Sequence, residues 1–115
     1  MKEETIKVLY FPVGATPTIL ETSNELSAMQ SLVDGYIEIF PLDSLEPDLN
    51  LNALAVLNEE GKITPGIMPN RGIYYQGELF DMFYGNFFIC GSDDDGNFTS
   101  ITPDQEAYYR KIFAV

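Results

Sequence analysis

Chemistry in this chain would have to come from carboxylates, hydroxyls and a handful of cations, because its 115 residues include no histidine and a single cysteine. Histidine is the commonest general acid/base and the commonest metal ligand. Its absence removes histidine-based triads, Cys–His dyads and nearly all zinc sites, so no catalytic residue, metal or cofactor is assigned and the chain leans away from enzymes. Cys90 lies in Asn86-Phe87-Phe88-Ile89-Cys90, an apolar run that reads as a buried strand. No neighbouring base or cation is there to activate the thiol, and a packed structural cysteine is the preferred reading. Asp93-Asp94-Asp95-Gly96 invites a calcium reading. An EF-hand loop needs oxygen ligands at alternate positions before its glycine and a glutamate six positions after it. Gly91 stands where the first aspartate belongs and Thr102 where the glutamate belongs. A hairpin turn is the better reading, with weak, non-specific cation binding left open. Neither glycine-rich phosphate-loop pattern occurs.

Asn70-Arg71 is the second candidate. Arg71 is the only cation between Lys62 and Arg110, and it lies in the longest irregular segment, Pro65 to Gly77. Functional side chains concentrate in loops, and a guanidinium forks well onto a carboxylate or phosphate. One reading makes Asn70 and Arg71 the anchor for an anionic ligand, with Glu60 or Asp81 as acid or base in a small-molecule binder or carboxylate-based hydrolase. The favoured reading, given the excess of acids, is an internal ion pair with Glu59, Glu60 or Asp81. The candidate binding residues are therefore Glu59, Glu60, Asn70, Arg71, Asp81, Asp93, Asp94 and Asp95.

Eighteen acidic residues oppose six basic ones, a formal net charge of −12. From Val8 to Gly61 there are nine carboxylates and no cation, and from Gly72 to Tyr109 seven more with none. Such a surface repels phosphate, so direct nucleic-acid binding is not expected. It would speed association with a basic protein partner and make it salt-sensitive. Solubility is the favoured explanation of the charge, because charge alone is not a motif, and mimicry of DNA by ordered carboxylates is the sharper alternative. Tyr74, Tyr75, Phe80, Phe83, Tyr84, Phe87 and Phe88 crowd one stretch. That exceeds what a small core readily takes, so the Tyr74-to-Phe88 segment is expected to expose a patch for a homodimer or another partner. No apolar run reaches the roughly 20 residues of a membrane helix. The opening Met1-Lys2-Glu3-Glu4 does not read as a secretory leader. With a lone cysteine, the cytoplasm is the expected compartment.

The elements that must position these groups read as one domain, 1–115. Thr5 to Phe11 is a β-rich strand, followed by a turn and a short return strand at Thr18 to Glu21. Thr22-Ser23-Asn24-Glu25 matches a capping box. Leu26, Met29, Leu32 and Val33 recur at helical spacing, and Asp34-Gly35 ends the helix. Tyr36 to Phe40 alternates as a strand, Leu42 to Asn52 is a connection, and Ala53 to Leu57 suits a strand buried on both faces. Asn58 to Gly61 is a hairpin turn with a short return at Lys62-Ile63. Glu78 to Tyr84 is read as a short helix. Strands at Phe87 to Gly91 and Phe98 to Ile101 flank a turn, and Thr102-Pro103-Asp104-Gln105 caps a final helix. The fold class is α+β: a single domain with a mixed, mostly antiparallel sheet packed against two main helices, about 23–34 and 103–113.

Several segments, taken in order, carry a family likeness. They are Leu26-x-x-Met29-Gln30-x-Leu32-Val33-x-Gly35-Tyr36-Ile37-Glu38, Asn58-Glu59-Glu60-Gly61-Lys62, Pro69-Asn70-Arg71, Gly85-x-Phe87-Phe88-Ile89-x-Gly91, and Asp95-Gly96-x-Phe98-x-Ser100-Ile101-Thr102. In this order the chain resembles domain-of-unknown-function family 3846, small proteins of bacteria, phages and conjugative elements. The resemblance implies a mobile-element or phage-like setting and supplies no catalytic residues. The expected function is a non-enzymatic accessory protein that binds a protein partner, with an anti-restriction or anti-defence DNA mimic as one specific form. The alternative is the small-molecule binder or hydrolase built on the Asn70-Arg71 loop.

Overall fold

The run Phe87-Phe88-Ile89-Cys90-Gly91 is apolar without alternation, and such a run is stable only as a strand covered on both faces. The computed structural model, which describes residues 3–114, places it at the centre of the larger sheet. Among these residues the chain forms β1 (Thr5–Phe11), β2 (Thr18–Ser23), α1 (Leu26–Val33) and β3 (Ile37–Pro41). Two 3₁₀ turns follow, Leu42–Ser44 and Pro47–Leu49. The remainder is β4 (Ala53–Asn58), β5 (Pro69–Tyr75), β6 (Glu78–Tyr84), β7 (Phe87–Ser92), β8 (Phe98–Thr99) and α2 (Pro103–Ile112). The larger sheet runs β2-β1-β7-β4-β3 with β8 also on β7, and β5-β6 is a separate hairpin. Every pairing is antiparallel. This is the expected α+β class.

Side chains on neighbouring positions of a strand leave opposite faces, so the central strands feed two cores. On one face Ile6, Val8, Val56, Phe88 and Cys90 pack under Met29 and Val33 of α1. On the other, Leu9, Phe11, Ala55, Phe87 and Ile89 meet Tyr109 and Phe113 from the C-terminal helix region and Ile73 and Phe83 from the hairpin. The second core is an aromatic cluster. Phe11 stacks on Phe87 at 4.7 Å between centroids, while Phe83 meets Phe87 edge-on at 5.1 Å. Both arrangements suit the ring quadrupole.

Three local expectations change. The Thr22-to-Glu25 capping box does not form: Thr22 and Ser23 stay in the ladder, opposite Ile6 and Thr5. Helix α1 starts at Leu26 with Glu25 as an N-cap that makes no side-chain bond. The cross-strand bonds of β1–β2 outcompete a cap that would satisfy only one or two amides. Lys62-Ile63 is no return strand, because the chain coils tightly there, with the Glu60 carbonyl accepting from the amides of Ile63 and Thr64. Pro69–Tyr75, within the irregular 65–77 segment, and the helix expected at Glu78 to Tyr84 are instead the two strands of the β5–β6 hairpin. Register shifts at Pro69/Arg71 and Ile73/Tyr74 break the alternation that would have marked them as strands. The C-terminal capping box forms as expected: Thr102 Oγ1 accepts from Gln105 N at 3.1 Å, and Gln105 Oε1 accepts from Thr102 N at 2.9 Å.

Candidate functional site

Arg71, on β5, points inward. Its guanidinium donates to the Phe113 carbonyl at 2.8 Å, the Ala15 carbonyl at 3.0 Å and Asn70 Oδ1 at 2.6 Å. It also lies 5.5 Å from the centroid of the Phe11 ring. Burial lowers its pKa from the usual arginine value. The internal ion pair with Glu59, Glu60 or Asp81 is thus corrected: among the described residues, no carboxylate lies within salt-bridge distance of Arg71. Carbonyl oxygens take the place of an anion, because three chain segments converge there with acceptors left over from turns. Asn70 completes the pin, its side-chain amide donating to the Phe11 and Gly85 carbonyls at 2.8 Å each.

The carboxylates proposed beside them lie elsewhere. Asp81 pairs with Lys62. Burial raises the Asp81 pKa, but bonding from Lys62 and from the Met82 amide, with the Lys62 charge, outweighs it and leaves the pKa lowered. Glu59, Asp81 and Lys62 line a cleft of about 350 Å³ beside β3 and β6, and Glu60 lines another beside Tyr36 and Thr64. Neither Asn70 nor Arg71 borders these clefts. The structure therefore does not bring Asn70 and Arg71 together with Glu59, Glu60 and Asp81.

Asp93 is used by its own turn. Its Oδ1 accepts from the amides of Asp95 and Asn97 and its Oδ2 from the Asn97 side chain. The Asn97 amide is the main cause of its lowered pKa. Gly96 takes a φ of 83°, which the turn needs and few other residues adopt. Asp94 and Asp95 are exposed. Cys90 is fully buried, and burial pushes its thiol up to about 12.

What the fold leaves uncovered is apolar. The β5–β6 hairpin exposes Tyr74 (64%), Leu79 (55%) and Phe80 (59%) at its outer end, with Tyr75 against Phe80. Only the inner part of the hairpin, Ile73 and Phe83, reaches the core. Next to Tyr74 a cleft of about 360 Å³ opens between the hairpin, the two 3₁₀ turns and α2. Leu42, Leu45, Leu49 and Ile112 line it, with Tyr108, Tyr109 and Phe113 among its aromatic residues. At its edge Tyr108 donates to Glu46 Oε2 at 3.1 Å. Asp43, in the first 3₁₀ turn, accepts from the Asn52 amide through Oδ2, while its buried Oδ1 accepts no bond among the described residues.

The 42–49 connection and Tyr108 were absent from the sequence-based candidates, as were three buried polar side chains. Asn24 donates to the Glu3 and Phe98 carbonyls, Asn58 to those of Val33 and Asp34, and Gln105 to that of Leu51. Asparagine in a turn-rich segment carries no local sign of its long-range partner, so only the resemblance segment containing Asn58 hinted at one.

No curated protein and no solved structure matches the chain. A family model described as a domain of unknown function (DUF3846) matches residues 6–114, from β1 past the end of α2. That span takes in both cores, the hairpin, the cleft and the Asn70–Arg71 pin, and the chain belongs to this family.

Proposed function

We propose that this protein is a non-enzymatic binding module that docks a basic protein through the β5–β6 hairpin face. The observation that carries the proposal is the apolar end of the hairpin: Tyr74, Tyr75, Leu79 and Phe80 are each exposed at the turn end of an element only half of which contributes to the core, with Tyr74 opposite Leu79 and Tyr75 against Phe80. Clustered aromatic exposure of this kind marks interaction surfaces. The net charge of −12 favours a basic partner over a second copy, because two like-charged copies repel while a cationic partner is steered in. A DNA-binding protein whose nucleic-acid site is occupied by these carboxylates is the specific form of the reading. It fits a mobile-element setting and an anti-restriction or anti-defence role in the cytoplasm. The Asn70-Arg71 hydrolase alternative has no comparable support, since the hydrogen bonds of both side chains are directed to the chain's own oxygens.

The test compares the native chain with a Tyr74→Ser/Phe80→Ser double variant as bait in bacterial lysate at low and high salt. Expected is capture of a basic DNA-binding protein by the native chain, weakened at least about tenfold in the variant, as for loss of two aromatic anchors. Added chain should displace a DNA duplex from the captured protein. If no basic nucleic-acid-binding protein is recovered at either salt concentration, the reading fails.

A further inference from the structure

The cleft beside the hairpin has features that a general apolar contact does not require. Tyr109 is a mostly buried residue that lines the cleft, and its hydroxyl takes part in no hydrogen bond among the described residues. Asp43 Oδ1 is the one sealed side-chain atom among them without a partner, so the Tyr109 hydroxyl still meets the cleft, and a group that fills the cleft must replace its water with a hydrogen bond. Glu46 stands at the edge, where its Oε2 accepts from the Tyr108 hydroxyl. None of the residues lining the cleft is basic. Leu45, Leu49 and Ile112 supply an apolar wall alongside the tyrosines. The volume of about 360 Å³ is within the range of ligand sites. Burial and the nearby charges of Asp43 and Glu46, together with Tyr108, raise the Tyr109 pKa, so its hydroxyl stays protonated beside a negative potential.

An anionic head would be repelled there, and a purely apolar group would leave the Tyr109 hydroxyl unpaired. An arginine side chain satisfies each part. Its aliphatic stem suits the leucine and isoleucine wall, its planar head stacks on tyrosine, and its N–H groups can reach the carboxylate and the hydroxyl. We infer that this cleft is an arginine-accepting pocket, into which the basic partner inserts one arginine side chain alongside Tyr108, Tyr109 and Glu46. This inference rests on the docking reading above and names the group that would confer specificity at that face.

The probes are N-acetyl-Leu-Arg-Leu-amide and its counterparts carrying citrulline or glutamate in place of arginine, titrated into ¹⁵N-labelled full-length chain. The arginine peptide is expected to give saturable shifts confined to residues 42–49, 72–77 and 108–113, at about millimolar affinity for so small a ligand. Citrulline keeps the shape and loses the charge, and should bind about tenfold more weakly; the glutamate peptide should not bind. Glu46→Gln should weaken the arginine peptide about tenfold and Tyr109→Phe a few-fold, while Glu21→Gln on β2 changes nothing. Both cleft substitutions are nearly isosteric, so an unchanged spectrum elsewhere verifies folding. Equal binding of the citrulline and arginine peptides, or unsaturable shifts spread over the acidic surface, would overturn the pocket. Should a basic protein be captured equally well by the Glu46→Gln variant, the pocket fails and the docking module stands. Should the peptide bind in the cleft while no basic protein is captured, the module reading alone fails.

Discussion

Arg71 shows how a residue chosen for chemistry can serve architecture. A guanidinium taken out of water needs acceptors for its N–H groups, and here backbone carbonyls from the β1–β2 loop and from the end of α2 provide them. Removing it strands the Phe113 oxygen, whose bond to Arg71 is buried, and unties the exposed Ala15 loop from the core. Arg71→Met is expected to lower stability by about 3 kcal/mol, measured as a shift in the urea midpoint with an unchanged slope. Arg71→Lys should recover only part of that, because an ammonium cannot span the same acceptors in a planar fork. Cys90 makes the opposite point, since its environment suppresses chemistry. Burial raises the thiol pKa from the ordinary 9.0 to about 12. The folded state therefore holds the proton more tightly than the unfolded one. The stability this contributes is complete below pH 9 and is lost as the pH climbs from there through about 12. Labelling by a thiol reagent near neutral pH should follow the unfolded fraction across a urea titration; rapid labelling of the native protein would contradict the assignment.

Elements are joined by buried amides more than by ion pairs. At the end of α1 the left-handed conformation falls on Asp34, at φ 61°, and not on Gly35, the residue whose freedom would favour it. Gly35 is needed for a different reason: a Cβ there would stand 2.7 Å from Asn58 Nδ2. That amide ties β4 to the carbonyls of Val33 and Asp34, so the helix end can sit only as far from β4 as Asn58 reaches. Gly35→Ala is expected to cost about 2 kcal/mol by forcing this contact apart. The double variant Gly35→Ala/Asn58→Ala should show non-additivity, because the clash and the hydrogen bonds share one atom. The Lys62–Asp81 pair is different in kind. Both side chains are substantially exposed, so Lys62→Met should change stability by less than about 1 kcal/mol. The hairpin that carries Asp81 has its inner residues in the core and its outer ones in solvent. That division lets Tyr74 and Phe80 be replaced without removing Ile73 or Phe83 from the aromatic cluster.

At the scale of the whole molecule, a Cα radius of gyration of 13.3 Å is that of a compact chain of this length, for which about 13 Å is expected. Three layers produce it: α1, the larger sheet, and a third layer shared by α2 and the β5–β6 hairpin. The charge belongs to this scale as well, since the two ion pairs among the described residues engage only Asp81 and Glu106. The remaining carboxylates have no cation within salt-bridge distance among the described residues, so their charge acts chiefly as a common field. Association with the captured basic protein should weaken about tenfold or more between about 50 mM and about 200 mM salt, mostly through a slower association rate. Salt-independent binding, measured by surface plasmon resonance, would locate the affinity in the hairpin's apolar contacts alone.

The sequence by itself determined the α+β class, the central strands and the final helix. Those elements announce themselves through local rules: an apolar run for β7, β-branched content for β1, and a capping box with opposed terminal charges for α2. It also excluded histidine chemistry outright. The β5–β6 hairpin was not legible, because its bulges disrupt alternation and its strands are defined by each other's hydrogen bonds. The fate of Asn70 and Arg71 was legible only as a motif, since the oxygens they bind belong to Phe11, Ala15, Gly85 and Phe113, between 15 and 59 positions away in the chain. The apolar cleft was not legible either. It is assembled from the 3₁₀ turns, the hairpin and α2, three segments with no local sign of sharing a surface. Local propensity is written residue by residue, whereas convergence of distant segments is settled only when the chain packs, and this protein's candidate site lies wholly in that second category.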